Sequence, residues 1–302
     1  MEIVKRLSIF SSESPFFGVF SVALVVLLFL YYGLAKSIPA DWNRIVNLRQ
    51  ANTIRAEELL YSEETVDVLL IGTSLTVRLN QDFLPEGYYN MGLSGGSIYS
   101  GLKIATHLES SPKLVIIETN YLLNNLDSSW ISSLVNPFRF RLKKYVPVFQ
   151  QKYHPFSGVA GPVMSEAGKL LLGKVDRQEN TVVNKKLFEK TLTKKQRSWE
   201  KKYEVTAIQQ KLKELKKYCE QLEQAGVKVL LHEMPMHTSL SESTKMKQIR
   251  EHIMEFFPPH YFIPRLSSEE VTTSDGNHLS TNSAKYYVTY LTGKIQRQLV
   301  IQ

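Results

Sequence analysis

Beyond its apolar N-terminal segment, this chain has two short runs that are apolar at every position rather than at every second one. They are Val68-Leu69-Leu70-Ile71, within a strand candidate from Val66, and Leu114-Val115-Ile116-Ile117, within one from Lys113 to Glu118. A strand with one wet face alternates, so such runs are buried on both faces. Val227 to Leu231 reads the same way, and Tyr88 to Met91 is a fourth strand candidate. Helical segments lie between them. Tyr99 to Leu108 is one, and Val205, Ile208, Leu212, Leu215, Cys219 and Leu222 recur at helical spacing until Gly226 ends the pattern. Strands alternating with amphipathic helices predict an α/β domain with a parallel sheet covered on both sides. In such sheets functional groups gather at the carboxyl ends of the strands. Further on, a helix from Thr244 to Phe256, a short strand at Tyr261 to Pro264 and a last helix from Asn282 to Leu299 are expected.

Outside this domain, at residues 66–302, the N-terminal region reads differently. After a tail of residues 1–15, no charged side chain occurs from Phe16 to Ala35. About 20 such residues cross a hydrocarbon core of ~30 Å, so residues 16–35 are read as a transmembrane helix. Tyr31 and Tyr32 suit the interfacial belt. Gly33-Leu34-Ala35 also offers a small-x-small site for cleavage of a leader, and the length of the apolar stretch favours a retained anchor. Basic residues on both sides, Lys5 and Arg6 before and Lys36, Arg44 and Arg49 after, leave the orientation open. Residues 36–65 read as a juxtamembrane helix and linker, with Trp42, Ile45, Val46, Ile54 and Leu59 on its apolar spacing.

Residues 122–203 carry no strong strand and are rich in Lys, Arg and aromatics, and they read as a mostly helical insertion. Phe138 to Tyr153 interleaves aromatic and basic residues, which suits the packing face of an inserted helix, or else a lid or a membrane-facing surface. Lys185 to Lys202, with Lys194, Lys195 and Arg197, reads as a solvated helix face, or as a contact for anionic lipid or glycan. The net charge of +8 suits an anionic surface but selects no partner. A transmembrane anchor gives no reason to meet nucleic acid. The single cysteine, Cys219, rules out an internal disulfide and any multi-cysteine metal site. His232-Glu233-Met234-Pro235-Met236-His237 spaces its histidines five apart with a proline between, which a zinc helix does not tolerate. Ser100-x-x-Lys103 lacks the companion motifs that would give it meaning. No metal or other cofactor is expected.

Four short stretches carry the chemistry. Gly72-Thr73-Ser74 puts a serine just past a buried strand, where a base would make it a nucleophile. Asp275-Gly276-Asn277-His278 sets a carboxylate and an imidazole three apart on a turn, which lets one orient the other. Asn90-x-Gly92-x-Ser94-Gly95 and Asn120 follow the second and third strands and offer donors of the type that stabilise an oxyanion. Taken singly, each reads as an ordinary turn or cap.

Together and in this order they resemble the four blocks of the SGNH/GDSL hydrolase superfamily. The resemblance implies a flavodoxin-like three-layer fold. It implies Ser74 as nucleophile, His278 as general base and acid and Asp275 as its orienting carboxylate, with an oxyanion hole from Gly95, Asn120 and the Ser74 N–H. Two positions depart from the pattern: Thr73 stands where an aspartate is usual, and Glu118-Thr119-Asn120-Tyr121 replaces Gly-x-Asn-Asp. The second departure looks like the anchored branch, which includes the DltD proteins of teichoic-acid D-alanylation and the alginate O-acetylation proteins. That resemblance implies an extracytoplasmic serine esterase or O-acyltransferase acting on a cell-envelope glycan or anionic polymer, beside a polytopic membrane-bound O-acyltransferase. A non-catalytic scaffold or chaperone binding an acyl carrier or that partner is the alternative.

Overall fold

The computed structural model describes residues 15–37, 47–153 and 185–300. Expectations for the N-terminal tail before Pro15, for Trp42, Ile45 and Val46, and for residues 154–184 of the insertion lie outside the described residues. The chain falls into two compact units, residues 1–47 with 140–175 and residues 48–139 with 176–302.

In the first unit, helix α1 spans Pro15–Ser37. Its window Phe17–Leu34 has a mean hydropathy of 2.3 and is nowhere buried against the protein. It is long and apolar enough to cross a membrane. Near its end the Tyr31 hydroxyl donates to the Tyr153 carbonyl, and the Tyr32 and Tyr153 rings meet edge-on at 5.5 Å.

The second unit is α/β. Strands β1 (Val68–Gly72), β2 (Tyr88–Gly92), β3 (Leu114–Glu118) and β4 (Lys228–His232) form one parallel sheet in the order β2-β1-β3-β4. Every residue of β1 and β3 is buried, as their unbroken apolar runs predict. Around the sheet run α2 (Leu48–Tyr61), α3 (Ser74–Val77), α4 (Ile98–Ala105) and α5 (Ser128–Leu134). Helix α6 (Pro137–Tyr145) has most of its length in the first unit. Then follow α7 (Lys185–Trp199), α8 (Val205–Gln224), α9 (Thr238–Ser241), α10 (Thr244–Phe256) and α11 (Thr281–Val300). The described parts of the expected insertion hold α5, α6, α7 and two 3-10 turns, joined by turns and coil.

Register assigns the two faces. Ile71, Ile117 and Leu231 are aligned across neighbouring strands and share one face, while Leu70, Ile116, Leu230 and His232 fall on the other. On the first face, Gly101 of α4 lies so close to Ile71 that a Cβ would stand 2.6 Å from its Cγ2. The Tyr99 hydroxyl of α4 then donates to the Lys211 carbonyl of α8 at 2.8 Å. On the second face, Tyr287 of α11 stacks on His232, its hydroxyl 3.0 Å from Nδ1. Burial drops the His232 imidazole to about 3, so the ring is neutral. The α8 stripe Ile208, Leu212, Leu215, Cys219 and Leu222 is buried throughout.

Two elements differ from the sequence expectation. Tyr261 to Pro264 is no strand: it makes one bridge, Leu231 to Phe262, after a 3-10 turn at Pro259–Tyr261. The turn commits the N–H groups of Tyr261 and Phe262 to the Pro258 and Pro259 carbonyls, and Pro264 has none, which leaves the Ile263 N–H to pair with the Leu231 carbonyl at 3.0 Å. Helix α2, grouped by its apolar spacing with the juxtamembrane segment, belongs to the sheet unit. Asn52 exchanges two 3.0 Å hydrogen bonds with the Ser94 backbone, and Arg55 donates to the Gly92 carbonyl at 2.7 Å. Its buried face carries Asn52, Ala56, Leu59 and Leu60, with Ile54 only half-buried.

Candidate functional site

The carboxyl end of β1 delivers Ser74. After Gly72 the chain turns at Thr73, which caps α3, and Ser74 opens that helix. Beneath the turn lies the wholly buried Glu118, the last residue of β3. Its Oε2 accepts from the N–H of Thr73 at 2.9 Å and of Thr76 at 3.1 Å, and the hydroxyls of Thr76 and Thr73 reach Oε2 and Oε1 at 2.6 Å each. Burial raises the Glu118 carboxyl above its ordinary value, against the pull of these four bonds. The turn asks no left-handed backbone of Gly72, whose φ is not positive. Its role is room: a Cβ there would sit 1.8 Å from Thr76 Oγ1 and 2.6 Å from Glu118 Oε2.

The second half comes from the loop before α11. Ser274 N–H donates to the His278 carbonyl at 2.8 Å, closing a tight loop. Within it Asp275 Oδ1 accepts from the N–H groups of Asn277 at 3.1 Å and His278 at 2.9 Å. Asp275 Oδ2 stands 2.9 Å from His278 Nδ1, and His278 Nε2 stands 2.9 Å from Ser74 Oγ. Hydroxyl, imidazole and carboxylate therefore meet in series, across 204 residues of chain. Burial works against the Asp275 charge, but the ring and backbone N–H of His278 and the ammonium of Lys195 outweigh it. They hold the carboxyl well below the usual carboxylate range.

Ser74 and His278 open onto a cleft of about 560 Å³, whose wall includes Gly95, Arg78, Phe83 and Leu48. Among the described residues, no acceptor receives the N–H of Ser74 or of Gly95. Asn120 stands apart. It is buried and absent from the cleft wall, and its amide bridges the Met234 backbone, Nδ2 to the carbonyl at 2.9 Å and Oδ1 from the N–H at 2.7 Å. One Nδ2 hydrogen remains uncommitted.

Three contacts escape a reading of the sequence. Glu118 holds the nucleophile turn. The Tyr121 hydroxyl accepts from Asn277 Nδ2 at 2.6 Å, tying the segment after β3 to the histidine loop. Lys195 Nζ donates to Asp275 Oδ2 at 2.8 Å and to its carbonyl at 3.0 Å. Of the discounted motifs, His232 lies in the core. His237 caps α9 and helps to line a second cleft, of about 540 Å³, with Phe188, Leu192 and Thr273. Among the described residues no group of three His, Cys, Asp or Glu side chains is placed to hold a metal ion.

No protein-family model, curated protein or solved structure matches the chain. The structure defines an α/β unit with a parallel sheet in which a serine, a histidine and an aspartate are hydrogen-bonded in series beside the end of β1. Among the described residues there is also one apolar helix of membrane length.

Proposed function

We propose that the chain is a membrane-anchored serine esterase or O-acyltransferase of the SGNH/GDSL type. The observation that carries this reading is the unbroken relay from Ser74 Oγ through His278 to Asp275, with 2.9 Å at each step. The strand order, with β1 between β2 and β3, fits the flavodoxin-like arrangement, which binds ligands at the carboxyl ends of its strands.

In the proposed reaction, Ser74 Oγ attacks an ester or thioester carbonyl while His278 Nε2 takes the hydroxyl proton. Asp275 keeps the ring oriented and stabilises the imidazolium. The tetrahedral oxyanion is received by the N–H groups of Ser74 and Gly95, which line the cleft, while Asn120 braces the Met234 backbone outside it. Collapse expels the alcohol or thiol, protonated by His278, and leaves an acyl-serine. In the second half, His278 deprotonates water, giving hydrolysis, or a sugar or polyol hydroxyl, giving transfer. Anchoring and the basic insertion favour transfer to an anionic cell-envelope polymer or glycan. A polytopic membrane-bound O-acyltransferase is the expected partner, with the catalytic domain extracytoplasmic.

Incubating the full chain in detergent with a fluorophosphonate probe tests the relay. The expected result is a single modified peptide containing Ser74. A folded protein that the probe leaves unmodified would sink the enzyme reading and favour a scaffold.

Helix α1 makes a separate prediction. The full chain should remain in the membrane pellet after an alkaline carbonate wash, because its exposed apolar helix has no other place to bury. Release of the intact chain into the supernatant would refute the anchor.

A further inference from the structure

A lysine bonded to the carboxylate of a relay changes both its geometry and its charge. Helix α7 supplies one. Phe188, Leu192, Lys195 and Trp199 follow each other at four, three and four residues and so share one helix face. That face meets the histidine loop and its surroundings. Phe188 packs edge-on to His237 with centroids 5.9 Å apart, and Trp199 does the same to Tyr121 at 5.6 Å. Leu192 Cδ1 lies 2.7 Å from where a Cβ would stand on Gly276, a residue at φ +91°. Lys194 and Arg197 face solvent, while Lys195 is half-buried and bonded twice to Asp275.

Resting on the serine relay proposed above, we infer that Lys195 is a positioning residue. It fixes the Asp275 carboxylate from α7, limits the negative charge that the imidazole feels, and makes the site complete only when the inserted helix is seated. Its Nζ and His278 Nδ1 share one oxygen, Asp275 Oδ2, at 2.8 and 2.9 Å. Among the described residues, the titratable and charged groups facing that carboxylate are His278 on its own loop, Lys195 on α7 and Tyr121 after β3, and Arg78 shares the cleft wall with the His278 ring. Taking away the cation leaves an aspartate whose whole charge favours the imidazolium. The free-base form that activates Ser74 then needs a higher pH.

The test is the pH dependence of kcat/KM for p-nitrophenyl acetate hydrolysis by the full chain in detergent, comparing wild type with Lys195→Met and Lys195→Arg. Lys195→Met should lower kcat on the order of tenfold to a hundredfold. It should also move the low-pH limb upward by roughly 0.5–1 pH unit. Lys195→Arg, which keeps the charge, should return the limb to its wild-type position and restore most of the rate. In an Asp275→Asn background, Lys195→Met should cost nothing further. The limb position does not depend on the fraction of folded protein, so partial misfolding cannot imitate the shift. A limb unmoved in Lys195→Met, whether or not the rate falls, overturns this inference and leaves the serine relay standing. Absence of both hydrolysis and probe labelling in wild type overturns the relay itself.

Discussion

Ser74→Ala is expected to lower ester turnover by roughly four to six orders of magnitude and to leave the protein folded. Ser74 is a small, half-buried residue, so losing its oxygen should change stability by no more than about 0.5 kcal/mol. The chemical loss is large because the hydroxyl is the only atom that forms a bond to the acyl group, while His278 and Asp275 act through it. Members of such a relay are not additive. Adding His278→Ala to Ser74→Ala should therefore cost little more than Ser74→Ala alone. The measurement is single-turnover acyl release alongside a thermal melt of each variant. A Ser74→Ala protein that melts like wild type and still turns over the ester at a comparable rate would remove the nucleophile.

The second large effect is predicted at Glu118, and it concerns folding. Glu118→Ala strips acceptors from two buried N–H groups and two threonine hydroxyls at once, and should destabilise by about 3 kcal/mol or more. Glu118→Gln should be mild. Oε2 faces both N–H groups and can be replaced by an amide oxygen, whereas Oε1 faces only the Thr73 hydroxyl, which can accept from an amide NH₂. The same arrangement suits a protonated carboxyl, in keeping with its raised pKa. The sign of the pH effect follows. Because the folded carboxyl holds its proton longer than the unfolded one, this contribution to stability is complete below the ordinary glutamate value. It falls away as pH rises through the raised one. Thermal melts of wild type and Glu118→Gln against pH should diverge in that window, with wild type losing ground. Wild type gaining on Glu118→Gln as pH rises there would show that the buried carboxylate is the preferred form.

How much of this was legible in the sequence depended on what made each contact. The strands β1 and β3 were readable because apolar runs with no wet face have one solution, a covered parallel sheet. Ser74, Asp275 and His278 stood out in the sequence because relay chemistry needs those three groups, and the structure brings them within hydrogen-bonding reach. Contacts made by polar atoms across the chain were not. Asn52 and Arg55 draw α2 onto the sheet unit by hydrogen bonds, and apolar periodicity carries no trace of them. Tyr261 to Pro264 looked extended and apolar, but the 3-10 turn takes up the N–H groups of Tyr261 and Phe262, and Pro264 has none to offer. Glu118 showed only as a variant third block, since its partners Thr73 and Thr76 meet it through a strand pairing that composition does not announce. Lys195 hid in a run of basic residues. Its signal was positional: it occupies the stripe Phe188, Leu192, Trp199, where a solvated lysine does not belong.

One consequence follows from the separation in sequence between the hydroxyl and its base. Ser74 is near the first strand, whereas Asp275 and His278 lie just ahead of the final helix. On the mechanism proposed above, a growing polypeptide would carry an inert alcohol until Asp275 and His278 had been added and α11 had docked. A proteolytic fragment that stops short of Asp275 is then expected to leave a fluorophosphonate probe unreacted, however well its sheet survives.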